Sequence, residues 1–216
     1  SGSDVSDSGK PKLKVATNAE FDPWEYIENG EYVGADMDII RAIADKLDME
    51  VEIQNMEFEA VLSALVSKTC DVAISGLTIN QTREKQVDFS DPYYKTAQVL
   101  IVRSDDTVFT GTNKEELDAQ LKNKKIGVCT GFTGQQYVEG DPNWPFEPIE
   151  GAEAVIYDNI ALAVQGLKNK AVDVIIMDGP TAEGAAATDE NKDAIRVINI
   201  PLTVERYAIG VQKGNT

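Results

Sequence analysis

The sequence contains no histidine. This absence excludes the Ser-His-Asp and Cys-His arrangements that activate a nucleophile, and it excludes zinc sites that use histidine ligands. It also removes the side chain that most often carries protons at neutral pH. Carboxylates or lysines could still support catalysis, but an enzyme is the less favoured class. No motif for a metal or a cofactor is present, so we expect neither.

Cysteine and long apolar runs are also scarce. The two cysteines, Cys70 and Cys129, make neither a metal-binding motif nor a disulfide framework. A single bridge between them is possible by number alone, and we favour two thiols. No run approaches the ~18 to 20 apolar residues that a membrane-spanning helix needs. We therefore predict no such helix.

Positive charge is the third scarcity, because 20 basic residues stand against 37 acidic ones and give a formal net charge of −17. A partner such as nucleic acid requires a basic face that displaces counterions, and anionic lipid attracts basic segments. We therefore expect no nucleic-acid binding and no electrostatic binding to lipid. The acidic surface predicts high solubility, and a field that attracts a cationic ligand is the alternative interpretation.

The remaining composition is that of a folded protein. Hydrophobic residues make up 42% of the 216 positions, which excludes wholesale disorder and allows one large domain or two small ones. Residues 1–9 are rich in Ser, Gly and Asp and predict a flexible leader. A leader of this kind suits an exported protein after signal removal, a lipoprotein without its anchoring cysteine, or a segment added for expression.

Short β-like runs alternate with amphipathic helices along the rest of the chain. Strands are predicted at 12–17, 51–54, 72–75, 125–129, 172–177, 195–200 and 207–212. Helices are predicted from Asp36, at 58–65, at 115–121, after Asp158 and at 180–187. Asp36 and Asp158 are the expected N-caps. The alternation predicts an α/β fold.

An internal echo links two parts of this pattern. Residues 65–76 resemble residues 167–178, because Leu, Lys, Asp, Val and Ile match at a constant offset. Each copy predicts a helix end, a turn and a buried strand. Two matching units favour two similar lobes, although two βαβ units can also be alike by chance. Ligands in α/β sheets bind beyond the carboxyl ends of strands, and clefts between domains are common small-molecule sites. We therefore expect residues 75–78 and Asp178 to face each other across a cleft.

The loop after the first predicted strand carries aromatic and polar side chains. Phe21 and Trp24 either cover a core or form the wall of a cleft. In the second case, Asn18 or Glu20 would contact the polar end of a ligand.

A second loop, residues 75–83, begins where a predicted strand ends. Gly76 would let a ligand approach the backbone, and Thr78 offers a hydroxyl. Arg83 carries a fork of donors that matches a carboxylate. An ordinary surface salt bridge from Arg83 to Glu84 or Asp88 is an equal alternative.

Two further segments stand out. Residues 87–94 predict an ordered turn whose role is packing. Residues 130–136 follow a strand and open a helix, and the backbone N–H groups at a helix N-terminus favour an anion such as a carboxylate. This glycine pattern is neither a Walker A loop nor a complete dinucleotide fingerprint.

Four segments form a recognisable set: FDPWEY (21–26), GADMD (34–38), DVAISGLTINQTR (71–83) and VDFSDPYY (87–94). Together they resemble the signature of polar amino-acid-binding proteins, which are bacterial extracellular solute-binding proteins of ABC importers. The resemblance covers residues 12–213, nearly the whole ordered chain. It implies a two-lobe fold of the periplasmic-binding-protein type II, an α/β fold with mixed sheets flanked by helices and a ligand cleft between the lobes.

The resemblance also implies which residues hold the two charged groups of an amino acid. Arg83 would bind the α-carboxylate, with Thr78 and the backbone at Thr133 as further donors. Asp178 would bind the α-ammonium. Since Arg83 and Asp178 belong to different lobes, the ligand would bridge the lobes and stabilise their closed state.

The remaining residues implied by the resemblance contact other parts of the ligand. Ser75 or the Gly76 carbonyl would help to hold the ammonium. Phe21 and Phe58 would hold the ligand side chain between their rings, and Asn18 would meet its distal end.

The implied lobes are residues 10–102 together with 197–216, and residues 104–196. Cys70 and Cys129 then lie in different lobes, where a disulfide would hinder hinge motion. The chain departs from its relatives at three places. Phe132 interrupts a common Gly-Thr-Thr-Gly run, Asn18 stands where many relatives have an acidic residue, and the sequence ends at Thr216, where relatives continue into a terminal helical segment.

The implied function is non-enzymatic binding of a free polar or cationic L-amino acid, which is delivered to the membrane subunits of an ABC transporter. The implied protein is a monomer, located in the periplasm or lipid-anchored to the outer face of the cell membrane. A polar ligand is the first expectation because Asn18 and Glu20 offer hydrogen bonds, and a cationic one is the second. The alternatives are a cyclohexadienyl-dehydratase-like enzyme with Glu20 as general acid, and the ligand-sensing domain of a receptor.

Overall fold

The computed structural model describes residues 9–142 and 144–215. Of the leader predicted at residues 1–9, only Gly9 lies within this range. The chain forms two compact α/β units: unit 1 runs up to Tyr94 and resumes at Arg206, and unit 2 is Lys95–Glu205. The α/β class predicted from the alternation is confirmed in both units.

The strands are numbered along the chain. They are β1 (Lys12–Thr17), β2 (Tyr26–Glu28), β3 (Glu31–Val33), β4 (Glu50–Asn55), β5 (Val72–Ala73), β6 (Val87–Phe89), β7 (Tyr94–Thr96), β8 (Gln98–Arg103), β9 (Lys125–Cys129), β10 (Glu153–Tyr157), β11 (Val174–Asp178), β12 (Ile195–Ile198), β13 (Glu205–Tyr207) and β14 (Gly210–Gln212). The helices are α1 (Ala35–Lys46), α2 (Phe58–Val66), α3 (Gln81–Glu84), α4 (Lys114–Leu121), α5 (Thr133–Glu139), α6 (Ile160–Lys168) and α7 (Gly179–Ala187).

The sheet of unit 1 has the strand order β4-β1-β5-β14-β6. Strand β1 runs parallel to β4 and β5, and β14 runs antiparallel to β5 and β6. Because side chains alternate along a strand, Leu13 and Val15 face one side of the sheet and Ala16 faces the other. Leu13 and Val15 pack with residues of α1, whereas Ala16 packs with residues of α2. The sheet therefore lies between these two helices.

The sheet of unit 2 has the order β10-β9-β11-β8-β12. Strand β9 is parallel to β10 and β11, and β8 is antiparallel to β11 and β12. In both units the first strand of the unit's βαβ series lies between the second and the third, and an antiparallel strand follows the third. Ile126 and Val128 of β9 are fully buried against Leu117 and Leu121 of α4. The two units thus repeat one topology.

The internal echo is confirmed in backbone detail. Lys68 and Lys170 follow the ends of α2 and α6 with φ values of +64° and +62°. In unit 1 the carboxylate of Asp71 accepts from the backbone N–H of Lys14 at 2.8 Å, and in unit 2 that of Asp173 accepts from Lys125 at 2.9 Å. The same turn therefore leads from a helix into the third strand of each sheet.

The unit boundaries differ from those expected for the lobes. Residues 95–102 were expected in the first lobe, whereas β8 pairs with β11 and β12 inside unit 2. Residues 197–205 were also expected in the first lobe and belong to unit 2. The physical reason is that β8 supplies a central antiparallel strand to this sheet, which sequence order alone does not reveal.

Several expected element ends also need correction. The N-cap of α1 is Gly34 rather than Asp36, and the N-cap of α6 is Asn159 rather than Asp158, with its side-chain oxygen accepting from the N–H of Leu162 at 3.0 Å. The strand expected at 207–212 is divided into β13 and β14. Asp36 is instead a fully buried residue of the first turn of α1.

Membrane-spanning helices and disulfide bonds are both absent from the described residues. Within residues 9–142 and 144–215, no helix has the length and apolar character needed to cross a membrane. Cys70 and Cys129 are both buried, one in each unit, and they form no disulfide bond.

The left-handed backbone of Lys68 and Lys170 leads to a prediction about stability. Lys68→Gly and Lys170→Gly should each raise the free energy of unfolding by about 0.5–1 kcal/mol, because a left-handed backbone costs an L-residue about 1–2 kcal/mol and glycine recovers most of it. Urea denaturation followed by circular dichroism measures the change.

Lys46→Gly is the matched control, because Lys46 lies in the last turn of α1 with an exposed side chain. Glycine in a helix costs up to about 1 kcal/mol, so this variant should lose stability. A loss of stability in both turn variants would contradict the shared left-handed turn.

Candidate functional site

The loop that follows β5 in unit 1, residues 75–83, is the glycine loop, and most of its residues are buried. Ser75 is fully buried, and Thr78 is 2% exposed. Gly76 has a φ value of +52°, and a Cβ at this position would lie 2.3 Å from Cε1 of Phe21. The chain therefore needs glycine here both for the backbone and for the aromatic ring that lies against it.

Arg83 is held in place by the same loop. Its side chain is 6% exposed, and Nη1 donates to the backbone oxygen of Thr78 at 2.8 Å. The backbone N–H of Arg83 donates to Oδ1 of Asn80, the N-cap of α3, at 2.8 Å. The guanidinium carbon lies 5.3 Å from the ring centre of Phe58, a cation–π distance. The backbone and the ring fix the orientation of this guanidinium, whereas the guanidinium of a flexible surface arginine has no fixed orientation.

The two aromatic residues of the first loop have different surroundings. Phe21 is 3% exposed and borders Gly76. Trp24 packs edge-on against Tyr94 and Tyr207, with ring centres 4.6 and 5.1 Å away. Trp24 therefore belongs to an aromatic core, and Phe21 is the one that borders the glycine loop.

Asn18 is also tied to the glycine loop. Its backbone N–H donates to Oγ of Ser75 at 3.0 Å, and its side-chain Nδ2 donates to the backbone oxygen of Met56 at 2.9 Å. Glu20 is exposed. Four predicted residues, Asn18, Phe21, Ser75 and Gly76, thus come together, and three others, Phe58, Thr78 and Arg83, form a neighbouring group.

Two buried carboxyl groups lie beneath the glycine loop. Asp36 accepts from the backbone N–H of Gly76 at 2.7 Å and from the hydroxyl of Tyr93 at 2.8 Å. Glu25 is fully buried and accepts from Oγ of Ser75 at 3.1 Å. Burial, followed by the charge of Asp36 and a hydrogen bond with it, raises the pKa of Glu25 well above its usual range. Burial also raises the pKa of Asp36, although its hydrogen bonds lower it in part.

In unit 2, Asp178 ends strand β11 and is 4% exposed. Its Oδ1 accepts from Nε2 of Gln98 at 2.8 Å, and the same nitrogen lies 3.4 Å from Oε1 of Glu205. The hydroxyl of Thr203 donates to Glu205 and accepts from the backbone N–H of Gln98 at 2.8 Å. One amide therefore connects two buried carboxyl groups, and it fixes the direction of Asp178.

The loop before α5 lies near this group. Thr133 is 3% exposed and begins α5, and a Cβ on Gly134 would lie 2.8 Å from the backbone oxygen of Ile176. The side-chain oxygen of Gln98 is 3.4 Å from that Cβ position. The N–H of Gly131 donates to Gln135 at 2.8 Å, so this glycine donor is used within the loop.

The residues Glu25, Gln98 and Glu205 were not identified from the sequence. Their partners are 50, 80 and 107 positions away along the chain. The burial of Asp36 could have been predicted, because Asp36, Ile40 and Ala44 are spaced four residues apart and share the buried face of α1. Among the residues that the structure describes, no group of three or more metal-ligating side chains occurs.

The geometry gives each unit a different chemistry. Unit 1 presents a buried, oriented guanidinium and a backbone loop, whereas unit 2 presents a buried carboxylate at the end of a strand. A guanidinium matches a carboxylate, and a carboxylate matches an ammonium group.

Comparisons with known proteins identify the family of the chain. A sequence model of the family "Bacterial extracellular solute-binding proteins, family 3" matches residues 13–216. The arginine-binding extracellular protein ArtP of Bacillus subtilis is 35% identical over 179 residues, which are 83% of this chain and 66% of ArtP. A probable histidine-binding protein of Neisseria gonorrhoeae is 29% identical over 94% of this chain and 72% of its own length. The chain thus spans about two thirds of the length of ArtP.

Solved structures are similar over most of the chain. An ancestral arginine-binding protein bound to arginine is 36% identical, with a TM-score of 0.82 over 94% of this chain and 85% of that one. An ancestral arginine-binding protein bound to glutamine is 34% identical, with a TM-score of 0.79 over 94% and 85%.

Gly76→Ala tests the contact between the glycine loop and Phe21. We expect a loss of about 2–4 kcal/mol in the free energy of unfolding, because both the left-handed backbone and the overpacked ring are unfavourable. Urea denaturation measures the loss.

Gly30→Ala separates the two causes. Gly30 has a φ value of +81°, but nothing lies within 4 Å of its Cβ position. This control should lose only the backbone part, about 1–2 kcal/mol. Equal losses in the two variants would contradict the close approach of Phe21 to Gly76.

Proposed function

Because this chain belongs to family 3 of the bacterial extracellular solute-binding proteins, we propose that it binds a free L-amino acid and delivers it to the membrane subunits of an ABC transporter. The family resemblance drawn from the four sequence segments is thereby confirmed, as is the fold class.

One observation supports this function most strongly: Arg83 is a buried guanidinium whose orientation is fixed by the Thr78 carbonyl and the Phe58 ring. Burying a cation is costly unless it is paired and hydrogen-bonded. A ligand carboxylate gains a charge-assisted, two-pronged bond from such a group. Arg83 is therefore the anchor for the α-carboxylate, with Thr78 and the backbone at Thr133 as further donors.

Asp178 is the counterpart for the α-ammonium group. Its direction is set by the bond from Gln98, and burial strengthens its attraction for a cation. Ser75 or the Gly76 carbonyl assists it. A ligand that contacts both Arg83 and Asp178 stabilises the arrangement in which both groups reach it, so closure follows from differential affinity.

The side chain of the ligand would contact three other residues. Phe21 and Phe58 hold its apolar part, and Asn18 meets its distal end. Asn18 already donates to the Met56 carbonyl, so its oxygen is the atom that suits a ligand donor. An oxygen acceptor favours a ligand with N–H groups at the far end, which arginine and glutamine both have.

We infer a cationic L-amino acid, arginine before others, as the ligand, with a polar one such as glutamine second. Relatives named for arginine support this order, as does the net charge of −17. Structures of ancestral arginine-binding proteins with either arginine or glutamine support the second choice.

We further propose a non-enzymatic monomer that works outside the cytoplasm, in the periplasm or lipid-anchored to the outer face of the cell membrane. The family is extracellular by description. The dehydratase-like alternative loses weight because Glu20, its general-acid candidate, is exposed rather than enclosed. A ligand-sensing role would use the same residues and differ only in the partner.

A thermal-shift screen of the twenty amino acids, followed by calorimetry, tests the ligand. L-Arginine at 100 times its dissociation constant should add about 2.7 kcal/mol of stability. Arg83→Lys keeps the charge but removes the planar fork, so we expect about 10- to 100-fold weaker binding.

Matched controls separate binding from general damage. Arg196→Lys changes an exposed arginine of unit 2, and Asp189→Asn changes a carboxylate whose side chain is 98% exposed. Both should bind L-arginine as the unmodified protein does, whereas Asp178→Asn should not. If no amino acid stabilises a protein that unfolds cooperatively, the proposed function is wrong.

A further inference from the structure

The proposed contacts with the ligand do not include the buried carboxyl groups of Glu25 and Asp36. Both side chains are fully buried in unit 1. They come from different segments. Glu25 is the last residue of the aromatic loop (residues 18–25, between β1 and β2), and Asp36 lies in the first turn of α1. Two ionised carboxylates at such a place would be strongly unfavourable, because each loses its hydration and repels the other.

The hydrogen-bond donors around the pair are unequally shared. Asp36 receives one donor on each oxygen, from the N–H of Gly76 and from the hydroxyl of Tyr93. Glu25 receives one donor, from Ser75, on Oε1. Its Oε2 is buried and accepts from no N–H or hydroxyl donor among the described residues. Glu25 and Asp36 accept from the adjacent loop residues Ser75 and Gly76, which brings the two buried carboxyl groups close together. A hydrogen bond between two carboxyl groups requires a proton on one of them.

The unequal donors decide which group carries that proton. Two donors favour the ionised form of Asp36, whereas Glu25 has only one. Tyr93 faces the pair as a neutral donor, and no lysine or arginine of the described residues forms an ion pair with either carboxyl group. Burial followed by the charge of Asp36 raises the pKa of Tyr93, so it stays protonated.

We propose that Glu25 is a positioning residue that keeps its proton at neutral pH and donates it to Asp36, and that this bond holds Ser75 and Gly76 in the geometry used for ligand binding. The chain of bonds runs from Glu25 through Ser75 to the N–H of Asn18, and through Asp36 to the N–H of Gly76. The effect on ligand binding rests on the proposed function, whereas the protonation of Glu25 is independent of it.

The sign of the pH dependence follows from linkage. In the unfolded chain Glu25 releases its proton near its ordinary pKa of about 4.3, whereas in the folded protein it keeps the proton to a much higher pH. The folded state therefore binds more protons above pH ~4.3, and the stability contributed by this group falls as pH rises until the raised pKa is passed. Loss of the proton leaves two adjacent buried charges under the glycine loop.

Glu25→Gln tests the proton without any ligand. Glutamine keeps the oxygen that accepts from Ser75 and supplies an N–H that donates to Asp36, and it cannot titrate. We expect the melting temperature of the variant, relative to the unmodified protein, to rise steadily from about pH 5 to about pH 8. Infrared spectroscopy should also show the band of a protonated carboxyl group in the unmodified protein and its loss in the variant.

Glu31→Gln is the matched control, because Glu31 is an exposed carboxylate of the same unit. Its melting temperature should follow that of the unmodified protein across the same pH range. A difference between Glu25→Gln and the unmodified protein that does not change with pH, with no loss of the infrared band, would overturn the proposal.

The ligand part has its own measurement. Calorimetry with L-arginine should give Glu25→Gln a dissociation constant within about threefold of the unmodified protein at pH 5–6 and a smaller rise toward pH 8. The same rise with pH in both proteins would overturn the positioning role. If L-arginine and the other amino acids do not bind at all, the proposed function fails, whereas the melting and infrared results still decide whether Glu25 holds the proton.

Discussion

The glycine loop of unit 1 depends on two buried carboxyl groups, one of which accepts from the Ser75 hydroxyl and the other from the Gly76 N–H. Glu25 and Asp36 approach from separate segments, and through them the aromatic loop, the start of α1 and the end of β5 are joined. A single proton makes the difference between a bond and a repulsion at this point. The two carboxyl groups hold Ser75 and Gly76, whereas Thr78 and Asn80 hold Arg83 further along the same loop.

The second organising feature is the repeated topology of the two units. Each unit leads a helix through a left-handed lysine into a strand, and each strand ends at polar groups. The repeat places Gly76 of unit 1 and Asp178 of unit 2 at equivalent positions, and Arg83 lies further along the chain in α3. Unit 1 carries a guanidinium near its strand end, whereas unit 2 carries a carboxylate held by Gln98. A guanidinium matches a ligand carboxylate, and a carboxylate matches an ammonium group.

Much of this could be predicted from local patterns, and the rest could not for identifiable reasons. The periodicities predicted strands such as β1 and β9 to the residue, and the echo predicted the shared turn. Asp36 was misassigned as an N-cap because its partners, Gly76 and Tyr93, are 40 and 57 residues away. Gln98 and Glu205 gave no local signal, since a buried polar network is defined by tertiary packing. The sequence did not reveal that β8, which precedes β9 along the chain, pairs with β11 and β12 in the sheet of unit 2.

The central claim is that Arg83 and Asp178 hold the two charged ends of one amino acid. A crystal structure of the protein grown with L-arginine tests it most directly. The account predicts the ligand carboxylate about 3 Å from the guanidinium nitrogens of Arg83, and the ligand ammonium at the same distance from the Asp178 carboxylate. A bound amino acid whose carboxylate contacts other donors and leaves Arg83 untouched would contradict it.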